Sequence, residues 1–234
     1  MTLRNRDRQP EWMDQPDLDF ELHAQALRGL SRVNRISGTS GSIWNQITDL
    51  FSESASGTIR LLDVACGGGD TAIGLKRMAD RKRVPLEIVG CDISETALAF
   101  ARDEAARKQA DVTFVQLDVL AEGLPADFDV VYSSLFLHHL DEETIIRLLG
   151  AMRSVARRRV VIDDLLRTRL GFMLAKWGIR LLTVSKVCHF DGPLSVRAAL
   201  TVEEAERLSE AAGWTGVEIH RKWPERFVMV CQAE

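Results

Sequence analysis

A run of three glycines with an acidic residue on each side is the strongest chemical signal in this sequence. Residues 67–69 are glycines that follow the apolar run 59–65, which contains Asp63, and Asp70 comes next. Glycines let a backbone pass close to a ligand, and a strand that enters such a turn before a helix is typical of nucleotide sites. The Lys-Ser/Thr pair of a triphosphate loop is missing, which disfavours a triphosphate. Asp63 would repel a pyrophosphate, but it can orient an ammonium group or accept from amides of the turn. A turn that only packs a helix on a strand is the structural alternative.

Two further carboxylates end the next two apolar runs. Asp92 ends the run 86–92, about twenty residues beyond the glycines, where a carboxylate can accept both hydroxyls of a ribose. Helix capping is the alternative role for Asp92, although Ser94 can take that role. Asp118 ends the run 115–118 and can accept from an adenine amino group. Because the carboxyl ends of parallel strands meet at one edge of a sheet, we expect these acids to line one site for an adenosine-containing ligand.

Two adjacent histidines, His138 and His139, follow the apolar run 130–133 and are candidates for a general base. Neighbours on a helix point about 100° apart, so we expect that both cannot serve one reacting atom. Helix capping or packing is the alternative role. No third ligand lies at metal-ligand spacing in the sequence, so we expect no metal site. Asp163 and Asp164 end a fifth apolar run, where one can face a substrate or cap the next helix.

Short apolar strands alternate with helices along most of the chain, and these elements must position the acids and histidines. The expected strands are 59–65, 86–91, 112–117, 130–133, 160–162, 215–220 and 227–231. The expected helices are 19–36, 43–51, a stretch from 70 to about 78, 96–108, 141–155 and 202–212. Such alternation predicts βαβ units around a buried parallel sheet.

The stretch 165–200 departs from this alternation. Residues 165–187 are unusually apolar, and 188–197 contain a Gly-Pro pair that predicts a turn-rich segment. We expect this stretch and the N-terminal helices to close over an apolar substrate as a lid, with Trp177 in its wall and Arg197 orienting an anionic group. The alternatives are core packing, contact with a membrane surface through Lys176 and Arg180, and a surface ion pair for Arg197.

Four segments resemble the class I S-adenosylmethionine methyltransferases, and most of all the branch of ubiquinone and menaquinone biosynthesis. They are DVACGGGD at 63–70, GCDIS at 90–94, QLDVLAEGLP at 116–125 and FDVVYSSLFLHHL at 128–140. The resemblance covers roughly residues 34–164. It implies a Rossmann-like α/β fold with a seven-stranded, mostly parallel sheet whose last two strands form an antiparallel hairpin.

The resemblance also implies a binding mode for S-adenosylmethionine. It places the methionine part at the glycine turn, the ribose at Asp92 and the adenine against Ile93. The residues that it assigns to the cofactor are Asp63, Ala65, Gly67, Gly68, Gly69, Asp92, Ile93, Asp118, Val119 and Ser134. The ubiquinone branch typically has Arg-Asn where this chain has His138 and His139, and this departure argues against a quinone precursor as the substrate.

Composition narrows the classes of partner. The net charge of −4 argues against a broad nucleic-acid surface, and the short basic runs at 4–8, 81–83 and 157–159 are expected to be solvated. The four cysteines lack metal or disulfide spacing, which indicates buried thiols in a reducing compartment. No apolar segment has the length of a membrane span or of a secretory signal. We expect a cytoplasmic protein without nucleic-acid partner or stable membrane insertion; the oligomeric state stays open, with a homodimer as one alternative.

Together these features predict one methyltransferase domain over residues 1–234. Its parts are an N-terminal helical cap (1–56), a cofactor-binding core (57–164), a helical lid (165–200) and a closing helix with two strands (201–234). The predicted reaction methylates oxygen or carbon of a small, largely apolar acceptor such as a phenol, a quinol or a polyketide-derived compound. The alternatives are a cofactor-binding protein without turnover, a macromolecule methyltransferase, and an NAD-dependent oxidoreductase. The last would not require Asp63 or Asp118, and 133–136 lack the Asn/Asp-Pro-Pro-aromatic motif of base methylation.

Overall fold

The computed structural model describes residues 3–15, 18–53 and 57–233. In this part of the chain, one sheet of seven strands has the order β3-β2-β1-β4-β5-β7-β6. The strands are β1 (Ile59–Val64), β2 (Leu86–Asp92), β3 (Thr113–Gln116), β4 (Phe128–Ser134), β5 (Ala156–Leu165), β6 (Glu218–Lys222) and β7 (Arg226–Gln232). The pairs among β1 to β5 are parallel, whereas β7 runs antiparallel to both β5 and β6. The predicted Rossmann-like fold with its terminal hairpin is confirmed.

Helices cover both faces of the sheet. They are α1 (Phe20–Ile36), α2 (Thr39–Asn45), α3 (Leu50–Glu53), α4 (Asp70–Lys82), α5 (Glu95–Lys108), α6 (Glu142–Val155), α7 (Arg169–Met173), α8 (Ile179–Leu182), α9 (Lys186–Ala198) and α10 (Val202–Ala211). A 3₁₀ turn spans Leu137–His139, and a π-helical turn spans Leu174–Gly178. One apolar cluster packs α6 and α10 on the sheet, and another packs α2 and α4 on the opposite face. The buried strands therefore read as continuous apolar runs.

The strand order reverses between β1 and β4, and this reversal determines where a ligand can bind. Strands β2 and β3 extend to one side of β1, whereas β4 and β5 extend to the other side. The loops that follow β1 and β4 therefore separate and leave a crevice at the carboxyl ends of the strands. The glycine turn follows β1, and the histidine pair follows β4.

Helix α9 corrects the expectation of a turn-rich segment at 188–197. Pro193 lies inside this helix, although proline lacks the N–H that a helix interior uses. Tertiary contacts outweigh this local cost, because the Asp191 carboxylate accepts from the backbone N–H groups of Trp12 and Met13 at 2.8 and 3.0 Å. A Cβ at Gly192 would lie 2.9 Å from Cδ1 of Ile179, so the helix also packs closely on α8.

Two further expectations concern the chain as a whole. All four cysteines are free and buried, in agreement with the predicted thiols. Strand β5 is longer than the predicted 160–162 because it pairs with β4 from Ala156 onwards and with β7 as far as Leu165. Within the described ranges, none of the helices combines the length and the apolar character that a bilayer crossing demands.

Candidate active site

A cavity of about 1010 Å³ opens at the carboxyl ends of the central strands. Its floor comes from the loops after β1, β2, β3 and β4, and its walls come from the N-terminal segment, α1 and the stretch 165–200. Ligand pockets usually enclose roughly 300–1,000 Å³, so this cavity can hold two ligands side by side. Its wall includes the apolar side chains of Leu30, Leu174, Ile179 and Leu182 from α1 and the stretch 165–200, whereas Leu27 packs on α5 beside the glycine turn.

The glycine turn lies at the floor of the cavity, but its three glycines have different roles. Gly67 has φ +52°, and a Cβ added there would have no other atom within 4 Å, so the turn is open towards the cavity that Gly67 and Gly68 line. Gly69 has φ +69°, and a Cβ there would lie 2.6 Å from Cζ of Phe114 and 3.0 Å from Cβ of Ala101. Gly69 does not line the cavity. Its expected place at the cofactor is corrected: it lets α4 pack closely on α5 and β3.

Asp92 holds the glycine turn and the start of α5 at the same time. Its Oδ2 accepts from the Gly67 N–H at 2.7 Å, and its Oδ1 accepts from the Ser94 N–H at 2.9 Å. Burial raises the pKa of Asp92, and these two hydrogen bonds oppose that rise. The alternative role as helix cap belongs to Ser94, whose Oγ accepts from the Ala97 N–H. Each Asp92 oxygen keeps a second lone pair for a ligand hydroxyl.

Ile93, Asp118 and Val119 line the same end of the cavity. The side chain of Ile93 is 64 % exposed, which is unusual for an isoleucine beside a buried strand. Asp118 uses Oδ1 to accept from the N–H groups of Leu120 and Ala121, so its other oxygen is available. The structure thus brings Asp92, Ile93, Asp118 and Val119 together.

The expected place of Asp63 at the cofactor is corrected, because Asp63 does not line the cavity although Ala65 does. Its side chain is fully buried in β1, opposite Tyr132 of β4. Burial raises the pKa of Asp63 well above its ordinary range. Side chains along a strand alternate between the two faces of the sheet. Asp63 is therefore on the same face as Leu61, which α2 and α4 cover, and not at the edge where a ligand can bind.

A buried polar cluster that the sequence did not indicate closes the cavity near α4. Arg226, at the start of β7, donates to Oδ1 of Asn34 at 2.7 Å, to Oγ1 of Thr39 at 2.6 Å and to Oδ1 of Asp163 at 3.2 Å. Asn34, Arg226 and Asp70 all line the cavity. No local motif marks Arg226, because even the nearest of these three partners is 63 residues away along the chain. Ser134 lies near this cluster, with its Oγ 3.3 Å from Oγ1 of Thr71.

Both histidines of the pair line the cavity, which corrects the expectation that they diverge. The 3₁₀ turn is only three residues long, and the ring centroids of His138 and His139 lie 4.3 Å apart at an angle of 36°. His138 is buried, and its Nδ1 lies 2.7 Å from Oδ1 of Asp164. Burial alone would raise the pKa of Asp164, but the charge and hydrogen bond of His138 bring it below its ordinary value.

His139 has a second aspartate. Its Nδ1 lies 3.1 Å from Oδ2 of Asp14, so each histidine of the pair has its own carboxylate. Burial alone would lower the pKa of His139, but the hydrogen bond to Asp14 and the charges of Glu11, Asp14 and Asp164 raise it to about 9. In the absence of another cation, this imidazole carries a positive charge at neutral pH.

Glu11 is a third group at the histidine pair, although the sequence has no third ligand at metal-ligand spacing. One donor atom from each of Glu11, His138 and His139 lies within 4.8 Å of the others. The Glu11 side chain is buried, and its Oε1 accepts from Oγ of Ser195 at 2.7 Å. No pattern in the sequence indicates this proximity, because Glu11 lies near the start of the chain, far from the histidines.

The N-terminal segment that carries Glu11 is attached to the histidine turn by two arginines. Arg6 donates to the carbonyl oxygens of Leu137 and His138 at 2.9 and 3.1 Å, and Arg8 donates to that of His139 at 3.2 Å. These side chains satisfy carbonyl groups at the end of a short turn. The basic run 4–8 therefore anchors the segment, whereas a solvated surface was expected.

Trp177 and Arg197 do not line the cavity, which corrects their predicted place in the acceptor site. Trp177 is 56 % exposed, and the cations of Lys176 and Arg180 lie 5.2 and 5.6 Å from its ring centre. Arg197 forms an ion pair with Asp7, which was the alternative. The π-helical turn directs Leu174 and Ala175 to the cavity instead.

Comparison with known proteins agrees with this geometry. Residues 61–159 match the family model described as a methyltransferase domain. The chain is 31% identical over 139 residues to a ubiquinone biosynthesis O-methyltransferase of Idiomarina loihiensis, covering 58% of this chain and 48% of that protein. It is 39% identical over 75 residues to a release factor glutamine methyltransferase of Deinococcus radiodurans, covering 32% and 25%. The chain thus spans less than half the length of these curated relatives.

A solved structure extends the likeness in fold to nearly the whole chain. It is the magnesium protoporphyrin IX methyltransferase of Synechocystis with bound S-adenosylhomocysteine, with a TM-score of 0.59 and 18% identity. The match covers 94% of this chain and 90% of that one. The class predicted from the sequence is confirmed at the level of the domain, because residues 61–159 match a methyltransferase domain. The fold of nearly the whole chain is similar to that of a solved methyltransferase.

Proposed function

We propose that this protein transfers the methyl group of S-adenosylmethionine to an oxygen or carbon of a small, largely apolar acceptor. One observation carries the proposal. A single cavity joins an acidic edge that suits adenosine to an apolar region that ends at two carboxylate-bound histidines. The glycine turn lies between the two, where the reacting methyl group would have to be held.

The cofactor half of the cavity provides a group for each part of S-adenosylmethionine. Asp92 would accept from the ribose hydroxyls, and Asp118 with Ile93 and Val119 would hold the adenine. The methionine part would lie along Gly67, Gly68 and Ser134. Its ammonium group would be attracted to Asp70 and its carboxylate to Arg226, both of which line the cavity.

The acceptor half has the features that an in-line displacement requires. When bound, S-adenosylmethionine supplies an electrophilic methyl group on a sulfonium. The sulfur would keep the electron pair of the broken bond and become a neutral thioether. The acceptor would form the new bond to the methyl carbon and give up one proton, for which His138 is the candidate base. Leu30, Leu174, Ile179 and Leu182 would exclude water and orient an apolar acceptor, and positioning supplies much of the acceleration.

Phenols, quinols and polyketide-derived compounds fit this half best among the acceptors that we consider. The ubiquinone biosynthesis O-methyltransferase supports methyl transfer to oxygen, whereas the release factor glutamine methyltransferase supports a macromolecular acceptor. The N-terminal segment and the stretch 165–200 cover the cavity, which favours a small molecule over a macromolecule. A cytoplasmic location, the lack of a nucleic-acid partner and a homodimer stay predictions.

The test combines binding with turnover. Calorimetry should detect S-adenosylmethionine binding, and incubation of the protein with methyl-labelled cofactor and a panel of phenols and quinols should give a labelled small product. Protein that binds the cofactor and methylates none of the panel contradicts the proposed acceptor class. Label that enters only macromolecules from a cell extract supports the alternative class of acceptor.

A further inference from the structure

We propose that Glu11, His138 and His139 form a binding site for a divalent first-row transition-metal ion in the acceptor half of the cavity. The metal binding stands on the geometry of these three side chains. The role that we give the ion, activation of the acceptor hydroxyl, rests on the proposed methyl transfer.

The donor atoms converge on one point of the cavity wall. One donor atom of each of Glu11, His138 and His139 lies within 4.8 Å of the others, and all three residues line the cavity. Nδ1 of each histidine is bonded to an aspartate, so we assign metal binding to the two Nε2 atoms. Ligand atoms about 2.1 Å from a metal are roughly 3–3.5 Å apart, so the site would contract slightly on binding.

Each of the three ligands has a partner that orients it. Asp164 bonds His138 at 2.7 Å, Asp14 bonds His139 at 3.1 Å, and Ser195 donates to Oε1 of Glu11 at 2.7 Å. A metal-binding histidine usually donates its other ring N–H to a carboxylate, which fixes the tautomer and the ring direction. A histidine pair that only packed against the core would not need two separate carboxylates.

The surrounding charge favours a bound cation. Glu11 and Asp164 are buried here, and Asp14 adds a partly exposed carboxylate. Arg6 and Arg8 face the histidine turn, and their guanidinium groups are occupied by its backbone carbonyl oxygens. A dication would replace the proton of His139 and so add one positive charge next to these three carboxylates.

The type of ligand selects the type of ion. Two imidazoles and one carboxylate suit zinc, cobalt, nickel or ferrous iron, whereas magnesium prefers oxygen ligands alone. Three protein ligands also leave coordination positions open to the cavity. An acceptor hydroxyl bound there would lose its proton to solvent water at a lower pH, which would leave the more nucleophilic oxygen anion in the acceptor half of the cavity.

The test uses the full-length protein, freed of metal with a chelator and then titrated with Co²⁺. We expect one Co²⁺ per chain, with the visible absorption bands of a nitrogen- and oxygen-ligated site, and displacement by Zn²⁺. Glu11→Gln and His139→Ala should each weaken Co²⁺ binding by at least about 100-fold, since loss of an orienting partner alone costs 10–100-fold. His220→Ala is the matched control, because His220 is exposed and lies 3.3 Å from Glu218 on β6, away from the cavity.

Calorimetry with S-adenosylmethionine on each variant shows that the fold and the cofactor half are intact. Absence of stoichiometric Co²⁺ binding, or binding that survives in both Glu11→Gln and His139→Ala, overturns the metal site. Full methyl transfer by metal-free protein overturns the ion's role and leaves His138 as a general base, while the proposed function stands. Stoichiometric metal binding without methylated product keeps the site and contradicts the proposed acceptor class.

Discussion

The two halves of the cavity are built in different ways. Most of the cofactor half comes from loops that directly follow β1, β2 and β3, between positions 65 and 119, and Ser134 and Arg226 complete it at the proposed methionine end. The acceptor half joins Glu11, His138, Asp164 and Ser195, which belong to four distant parts of the chain. Successive parallel strands bring their carboxyl ends together whatever else the chain does, whereas the acceptor half needs the N-terminal segment and α9 to be in place.

This difference explains what the relatives share with the chain. The matched region, 61–159, contains the cofactor half except Arg226 and also the histidine pair, but it omits Glu11, Asp164 and Ser195. Proteins that methylate different acceptors can therefore keep the first half and replace the second. The acceptor of this protein has to be sought in contacts that the matched region does not contain.

The largest expected effect falls on the cofactor half. Asp92→Ala removes the proposed ribose contacts and the hydrogen bond to Gly67, so S-adenosylmethionine should bind tens to hundreds of times more weakly, about 2–4 kcal/mol. Calorimetry measures this change, with exposed Asp103→Ala on α5 as the control. Unchanged affinity in Asp92→Ala would remove the ribose from this end of the cavity.

Substitutions at Gly69 and Gly67 should affect different properties, the stability of the fold in the first case and the affinity for the cofactor in the second. Gly69→Ala forces its Cβ to 2.6 Å from Phe114, so we expect a loss of roughly 1–3 kcal/mol of unfolding free energy beyond the cost of its positive φ. Gly67→Ala has the positive φ alone, and its methyl group enters the cavity. Denaturant unfolding should rank Gly69→Ala as the less stable variant, and calorimetry should rank Gly67→Ala as the weaker cofactor binder. The reverse order on both scales would contradict the assignment.

The positive charge of His139 in the acceptor half should make the free energy of unfolding depend on pH. The pKa of His139 is about 9 in the folded, metal-free protein and near 6.5 when unfolded. The stabilisation by charged His139 is therefore complete below pH 6.5 and is lost as the pH rises through 9. Its size is roughly 1–2 kcal/mol, because solvent screens the exposed Asp14. In Asp14→Asn this loss should be smaller and occur at lower pH, as measured by denaturant unfolding with a chelator present. An identical pH profile in both proteins would separate Asp14 from His139.

The sequence by itself determined the sheet and most of the cofactor half. Alternating apolar strands and helices specify βαβ units, and Asp92 and Asp118 could be placed at one edge because strand ends in such units coincide. The same reasoning failed for Asp63 and Gly69, since a motif shows which residues are near a ligand edge but not which of them face inward. Asp63 lies within the sheet, and Gly69 packs against Phe114.

Only the tertiary structure decided the acceptor half. Trp177 lies in an apolar segment that was expected to form a pocket wall. A π-helical turn instead leaves Trp177 exposed, while Leu174 lines the cavity. Helix α9 continues through Pro193 because Asp191 holds the N-terminal segment, and that segment brings Glu11 to the histidines. These contacts join side chains that are far apart along the chain, and local propensity carries no information about such pairs.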